Sequence, residues 1–112
     1  MEIEGVNEGL SGLLRSGLPF PVSSLCVAGE FVIVLFNSDA WLKKIGPIEN
    51  LRCYSFDSTE KWRAALPTTT TGDHFASLSC SGLHAIATYS FSGFDITIDT
   101  RTGKELDRKF VK

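Results

Sequence analysis

Cys80 and the two histidines, His74 and His84, are the residues from which this chain could assemble a nucleophilic site. Such a site needs a thiol or hydroxyl, a base within hydrogen-bond reach and a third group to orient the base. Both histidines fall in expected strands on either side of Cys80, but no nucleophile elbow or oxyanion loop accompanies them. Cysteines in strands are commonly plain core residues, so the structural reading is preferred and a thiol-dependent enzyme is the lesser alternative. Gly103-Lys104 suggests a phosphate loop, yet Ile98 stands where the earlier glycine belongs and Glu105 where a Ser or Thr belongs. Asp57 and Asp99 could be read as paired carboxylates, although each sits where an aspartate closes a turn onto its own backbone. No spacing of His, Asp or Glu marks a metal site. The expectation is therefore a non-enzyme with no catalytic residue, no cofactor and no metal.

The elements that carry these residues are short. From Val22 onward, apolar or alternating runs are broken by turn signals about every ten residues, the signature of an antiparallel all-β fold. Eight strands are expected, near 23–27, 30–37, 50–56, 60–66, 74–80, 83–90, 94–99 and 104–111. Gly29 and Gly82 supply the turns of the first and third hairpins. Asp57-Ser58-Thr59 and the run from Thr100 to Gly103 supply those of the second and fourth.

The two halves resemble each other, which is the first thing to look for in a chain of short strands. Ser24-Leu25-Cys26 with Gly29 matches Ser77-Leu78 with Cys80 and Gly82, at an offset of 53. Tyr54-x-Phe56-Asp57 matches Ile96-x-Ile98-Asp99, at an offset of 42. The difference places an insertion of about eleven residues, 38–48, between the second and third strands of the first unit. The expected organisation is a single domain, 1–112: an N-terminal cap at 1–21, a four-stranded meander at 22–66, and a second at 74–112, forming either a sandwich or a splayed pair. In the cap, Asn7 could begin a short helix through Leu10, Leu13 and Leu14, limited to a turn or two by Gly9, Gly12 and Gly17.

The stretch from Phe94 to Leu106, an alternating strand ending in Asp99 and followed by Thr102-Gly103-Lys104, resembles the end of a blade in PQQ-like and WD-like β-propeller repeats. Asn50 to Trp62 is similar, and Trp62 falls near a position where those repeats often carry tryptophan. The resemblance implies blade-like sheets and no particular function. Two units fall short of the four to eight blades that usually close a propeller, so a capping element is expected. By type, a free-standing acidic module of this kind resembles the small immunity proteins of bacterial contact-dependent growth inhibition and polymorphic toxin systems.

Composition narrows the partners. Residues 1–60 hold eight acids and four bases, and residues 61–112 hold five acids and seven bases. A dedicated nucleic-acid binder would carry a strong basic patch, so direct nucleic-acid binding is not expected. Glu2, Glu4 and Glu8 precede the first apolar stretch, the reverse of a secretory signal, and no apolar run is long enough to span a membrane. Cys26, Cys53 and Cys80 are odd in number and form no C-x-x-C pair, so three free thiols and a cytoplasmic location are expected.

The insertion is the least ordinary region, because Trp41 and Leu42 stand in what should be a polar loop. They either fold back over a sheet edge or anchor an interface. The expected function is protein binding, most specifically the neutralisation of a toxin domain with a basic surface. Trp41 would be the anchor, and Asp39, Glu49, Glu2, Glu4 and Glu8 the steering charges. The alternative is a propeller fragment that associates with copies of itself.

Overall fold

The structure, a computed structural model, describes residues 18–41, 45–80, 82 and 84–111. Its eight strands are β1 (Val22–Ala28), β2 (Phe31–Phe36), β3 (Leu51–Ser55), β4 (Glu60–Arg63), β5 (Phe75–Ser79), β6 (Ala85–Ser90), β7 (Phe94–Asp99) and β8 (Glu105–Phe110). They form two four-stranded antiparallel meanders in sequence order: sheet A, β1 to β4, and sheet B, β5 to β8. The expected all-β architecture is therefore present. The expected helical cap falls almost wholly on residues 1–17, outside the described residues.

Local chemistry explains the punctuation. Ala28 pairs with Phe31, leaving a two-residue turn that Gly29 opens at φ 62°, a conformation glycine adopts without steric cost. The corresponding connection in sheet B is longer, running from Cys80 to His84, and its Gly82 is not left-handed. The two glycines thus share a place in the topology but not a conformation. The two histidines flank β5 and β6 and do not lie within them. Asp57 accepts from the amide of Thr59 at 3.1 Å and Asp99 from that of Arg101 at 2.8 Å. Both aspartates close Asx turns in equivalent hairpins.

The irregularities of the two ladders prove more diagnostic than the turns. Sheet A has register shifts between Val22 and Ser24 and between Cys53 and Tyr54. Sheet B has them between Phe75 and Ser77 and between Thr97 and Ile98. Matching bulge to bulge sets Tyr54 beside Ile98, two places from the sequence alignment with Ile96, and Arg63 beside Arg108. A two-residue slip leaves every side chain on its own face, since the period of a strand is two, which is why the sequence pattern did not expose it.

The matched ladders also fix how the units are stacked. Ile33, Leu35, Leu51 and Cys53 of sheet A face sheet B and share one core with Phe75, Ile86, Ile96 and Ile98. The opposite face of sheet A, Val32, Val34, Phe36 and Tyr54, forms a second cluster under Leu18, Phe20 and Trp41. By the bulge alignment, Val32 and Tyr54 correspond to Ile86 and Ile98, which look toward sheet A. Corresponding sides of the two meanders therefore look the same way, as in a stack of repeats.

Among the described residues, further attachments join the sheets besides that core. Asn50, 1% exposed, donates to the carbonyls of Phe36 at 2.9 Å and Phe75 at 2.8 Å and accepts from the amide of Phe75 at 2.9 Å. Trp62 donates its indole N–H to the carbonyl of Thr100 at 2.9 Å. Its ring lies so close to Gly103 that a Cβ there would approach it to 2.5 Å. Another attachment is a disulfide between Cys26 and Cys80.

Candidate functional site

Two of the residues that could have done covalent chemistry, Cys80 and His74, are engaged elsewhere, and His84 is exposed before β6. Cys80 is bonded to Cys26, with their Cα atoms 6.3 Å apart, and so carries no thiol. The expectation of three free thiols is overturned. Odd parity required only one unpaired cysteine, and the stacking of β1 near β5 brings together two that lie 54 positions apart. Reducing cytosol does not ordinarily keep such a bond, so the cytoplasmic placement drawn from free thiols loses its basis. Among the described residues, no helix is long and apolar enough to cross a membrane. Cys53 is free and buried, and burial pushes its thiol up to about 12, where little thiolate forms at neutral pH.

His74 is held structurally: its Nδ1 lies 2.9 Å from the carbonyl of Gly72 and its ring stacks on Phe91 at 5.1 Å. Beside it, Asp73 is a buried carboxylate that sequence reading passed over. Its oxygens accept from the Thr68 hydroxyl at 2.7 Å, the Ser92 hydroxyl at 2.9 Å, and the amides of Ser92 and His74 at 3.0 Å each. With four donors satisfied, it pins the β6–β7 turn to the segment between the sheets. Among the described residues, no group of three or more His, Cys, Asp or Glu side chains could hold a metal ion.

Trp41 sits over the outer face of sheet A, half-buried, stacked on Phe20 with ring centroids 3.8 Å apart. Beneath this pair lies Arg52, 6% exposed. Its guanidinium stands 5.5 Å from the Phe20 ring, 5.7 Å from Phe36 and 5.6 Å from Trp41. Arg52 also donates from Nε to the carbonyl of Glu49 at 2.9 Å and lies 3.8 Å from Glu60. A buried guanidinium needs such company, because an unpaired charge is costly away from water. The insertion and the chain entering β1 thus cap one end of the stack. Asp39, in the 3-10 turn Ser38–Ala40, and Glu49 are exposed near this cap. Glu2, Glu4 and Glu8 lie outside the described residues.

The other end of the stack is finished differently. The outer face of sheet B carries Ser77, Ser79, Ala87, Tyr89, Asp95, Thr97, Asp107 and Lys109 around a shallow cavity of about 420 Å³. By the bulge alignment, Ala87, Tyr89, Asp95, Thr97 and Asp107 take the places that Ile33, Leu35, Leu51, Cys53 and Trp62 fill in sheet A. The side that is apolar and covered in the first unit is polar and uncovered by any described residue in the second. Sequence reading missed this contrast because it compared turns; the signal was the replacement of aliphatics by Ala, Asp and Thr at alternating positions. Both fourth strands also repeat one local pair, Glu60–Arg63 at 2.7 Å and Glu105–Arg108 at 2.9 Å.

A repeat of two antiparallel meanders, apolar between the sheets and polar at its open end, is thus the class of protein that this fold defines. The chain belongs to the family described as Domain of unknown function (DUF7957), which matches residues 15–110. No curated protein and no solved structure matches the chain.

Proposed function

We propose that the chain is a protein-binding module that seats its partner on the outer face of sheet B. One observation carries this reading: positions that are apolar and covered in the first unit are polar, concave and uncovered by described residues in the second. A face stripped of aliphatics no longer drives the stacking of another sheet. It retains Tyr89, half-exposed among small side chains, with Asp95 and Asp107 against Lys109. Non-obligate interfaces are no more apolar than the surrounding surface, and Tyr89 is of the aromatic type enriched in them. Two acids to one base favour a partner with a basic patch. In its sharpest form the reading makes that partner a toxin domain that the module neutralises, and this form rests on the likeness in type to immunity proteins.

The experiment is capture of the partner from a lysate of the source cells, followed by titration with wild-type, Tyr89→Ala, Thr97→Arg and Trp41→Ala proteins. Thr97→Arg is expected to abolish binding while leaving the thermal transition in place, and Tyr89→Ala to weaken it tenfold or more. Unchanged binding by Thr97→Arg would remove sheet B from the interface. Loss confined to Trp41→Ala, in a folded protein, would move the interface to the capped end. Growth rescue by co-expression with the captured partner tests the toxin form.

A further inference from the structure

Every residue of β8 is exposed, and the strand forms the open edge of sheet B. Leu106 is 58% and Phe110 59% exposed. Edge strands usually carry charges that keep a second strand away. Those of β8, however, are complementary to a copy of itself.

The direction of the backbone groups limits how two copies can meet. Val111 donates its amide to the carbonyl of Gly93 at 2.9 Å. Asp95 pairs with Lys109 and Thr97 with Asp107 in the same ladder. Alternation along an antiparallel pair then turns the N–H and C=O of Arg108 and Phe110 away from β7, toward the open side. An antiparallel second β8 must present the same groups, so Arg108 lies on the two-fold axis or the register moves by one residue on each strand. With Arg108 on the axis, Asp107 stands opposite the second copy's Lys109 and Lys109 opposite its Asp107. On the other face, Phe110 lies toward the end of the pairing, and Leu106 falls at the bulge opposite Thr97 and Ile98. The two Arg108 side chains oppose each other, but each is already held by its own Glu105, whose oxygens lie 3.0 and 2.9 Å from the guanidinium Nε. Moving the axis to Asp107 would set two carboxylates against each other, which is destabilising, and moving it to Lys109, which has Asp95 across its own ladder, would put Asp107 opposite Val111 and forgo both opposite-charge pairs.

We infer that β8 pairs antiparallel with β8 of a second copy of this chain, about a two-fold axis at Arg108. The pairing joins the two copies of sheet B into one continuous sheet. Pairing at the edge engages Asp107 and Lys109 at the rim of the outer face of sheet B but leaves Tyr89 and Thr97 open, so the reading above, tested at those two residues, neither requires it nor fails with it.

Sedimentation and native mass across a concentration series would test the pairing on wild-type, Asp107→Lys, Lys109→Asp, the double swap and Arg108→Pro proteins. The wild type is expected to dimerise. Either single reversal should weaken the dimer roughly tenfold or more, because two attractive pairs become repulsive. The double swap should restore it, and an equimolar mixture of the two single variants should give a heterodimer. Arg108→Pro removes an N–H that faces away from β7, so the monomer keeps its ladder while the dimer is lost. A wild type that stays monomeric up to about 1 mM overturns the inference. So does a dimer that survives both the proline and the reversals, or one that the double swap fails to restore. If a reversal proves misfolded by circular dichroism, the proline variant and the swap decide.

Discussion

Breaking the Cys26–Cys80 bond removes a cross-link that spans 54 positions of the chain. Loop-closure entropy for a loop of that length corresponds to about 4 kcal/mol at 25 °C. A domain of this size is typically stable by only 5–15 kcal/mol, so the bond is a large fraction of the margin. For 112 residues, each 1 kcal/mol moves the midpoint by roughly 4 °C, and reduction should therefore lower Tm by about 15 °C. The attachments at Asn50 and at Trp62–Gly103 do not depend on the bond, so the reduced protein should remain folded at room temperature. Two measurements check this. Thiol titration of the denatured, unreduced protein should count one thiol, Cys53, rising to three after reduction; thermal unfolding with and without reductant, repeated on Cys80→Ser, should show the same loss for reduction and for mutation. Three thiols without reductant, or a Tm indifferent to reductant, would refute the cross-link.

Gly103→Ala should cost about 2–4 kcal/mol, because φ there is 74° and the added Cβ would meet the body of the Trp62 indole; chemical unfolding gives the cost, and tryptophan fluorescence should shift with it. Asn50→Ala strands two carbonyls and an amide between the sheets and should cost about 3 kcal/mol or more by the same measurement. Trp41→Ala removes the Phe20 stack and one ring from over Arg52, for about 2 kcal/mol with the fold retained, read by denaturant midpoint. The Asp57 carboxyl is held below the usual carboxylate range first by the Ser55 hydroxyl and then by Thr59. Its folded pKa being depressed, its stabilising contribution is full above the unfolded value and fades as the pH falls through the folded one. An NMR titration of Asp57 should place its midpoint below that of Asp in an unstructured peptide.

Much of the fold was legible in the sequence because strand alternation and turn chemistry are local. Phe31 to Phe36 and Phe94 to Asp99 could be little else, and the Asx turns at Asp57 and Asp99 follow from residue type alone. What was hidden was set by tertiary contact. Cys26 and Cys80 become neighbours only when the meanders stack, and cysteine parity carries no information about that. Asp73 looks like any loop aspartate until the turn at Ser92 closes onto it. The tryptophan of the insertion could be read two ways because its fate depends on Phe20, near a chain end whose pattern is weak. The polar finish of sheet B was present in the letters, but only the bulges supply the alignment that reveals it.

The bulge alignment also bears on how an array of this kind is kept at a given length. Trp62 of the first unit reaches across to Thr100 and Gly103 of the second and so acts as a coupling pin between consecutive units. The second unit has Asp107 at that position and, beside it, Asp95 and Thr97. A sheet laid against that face would find no pin and few aliphatic side chains to bury. Lengthening this fold by design would mean restoring tryptophan at 107 and aliphatics at 87, 89, 95 and 97, and then moving the polar set to the new last unit. The difference between a stacking face and an open one thus lies at a handful of positions on one sheet face, apart from the strands and turns that make each unit.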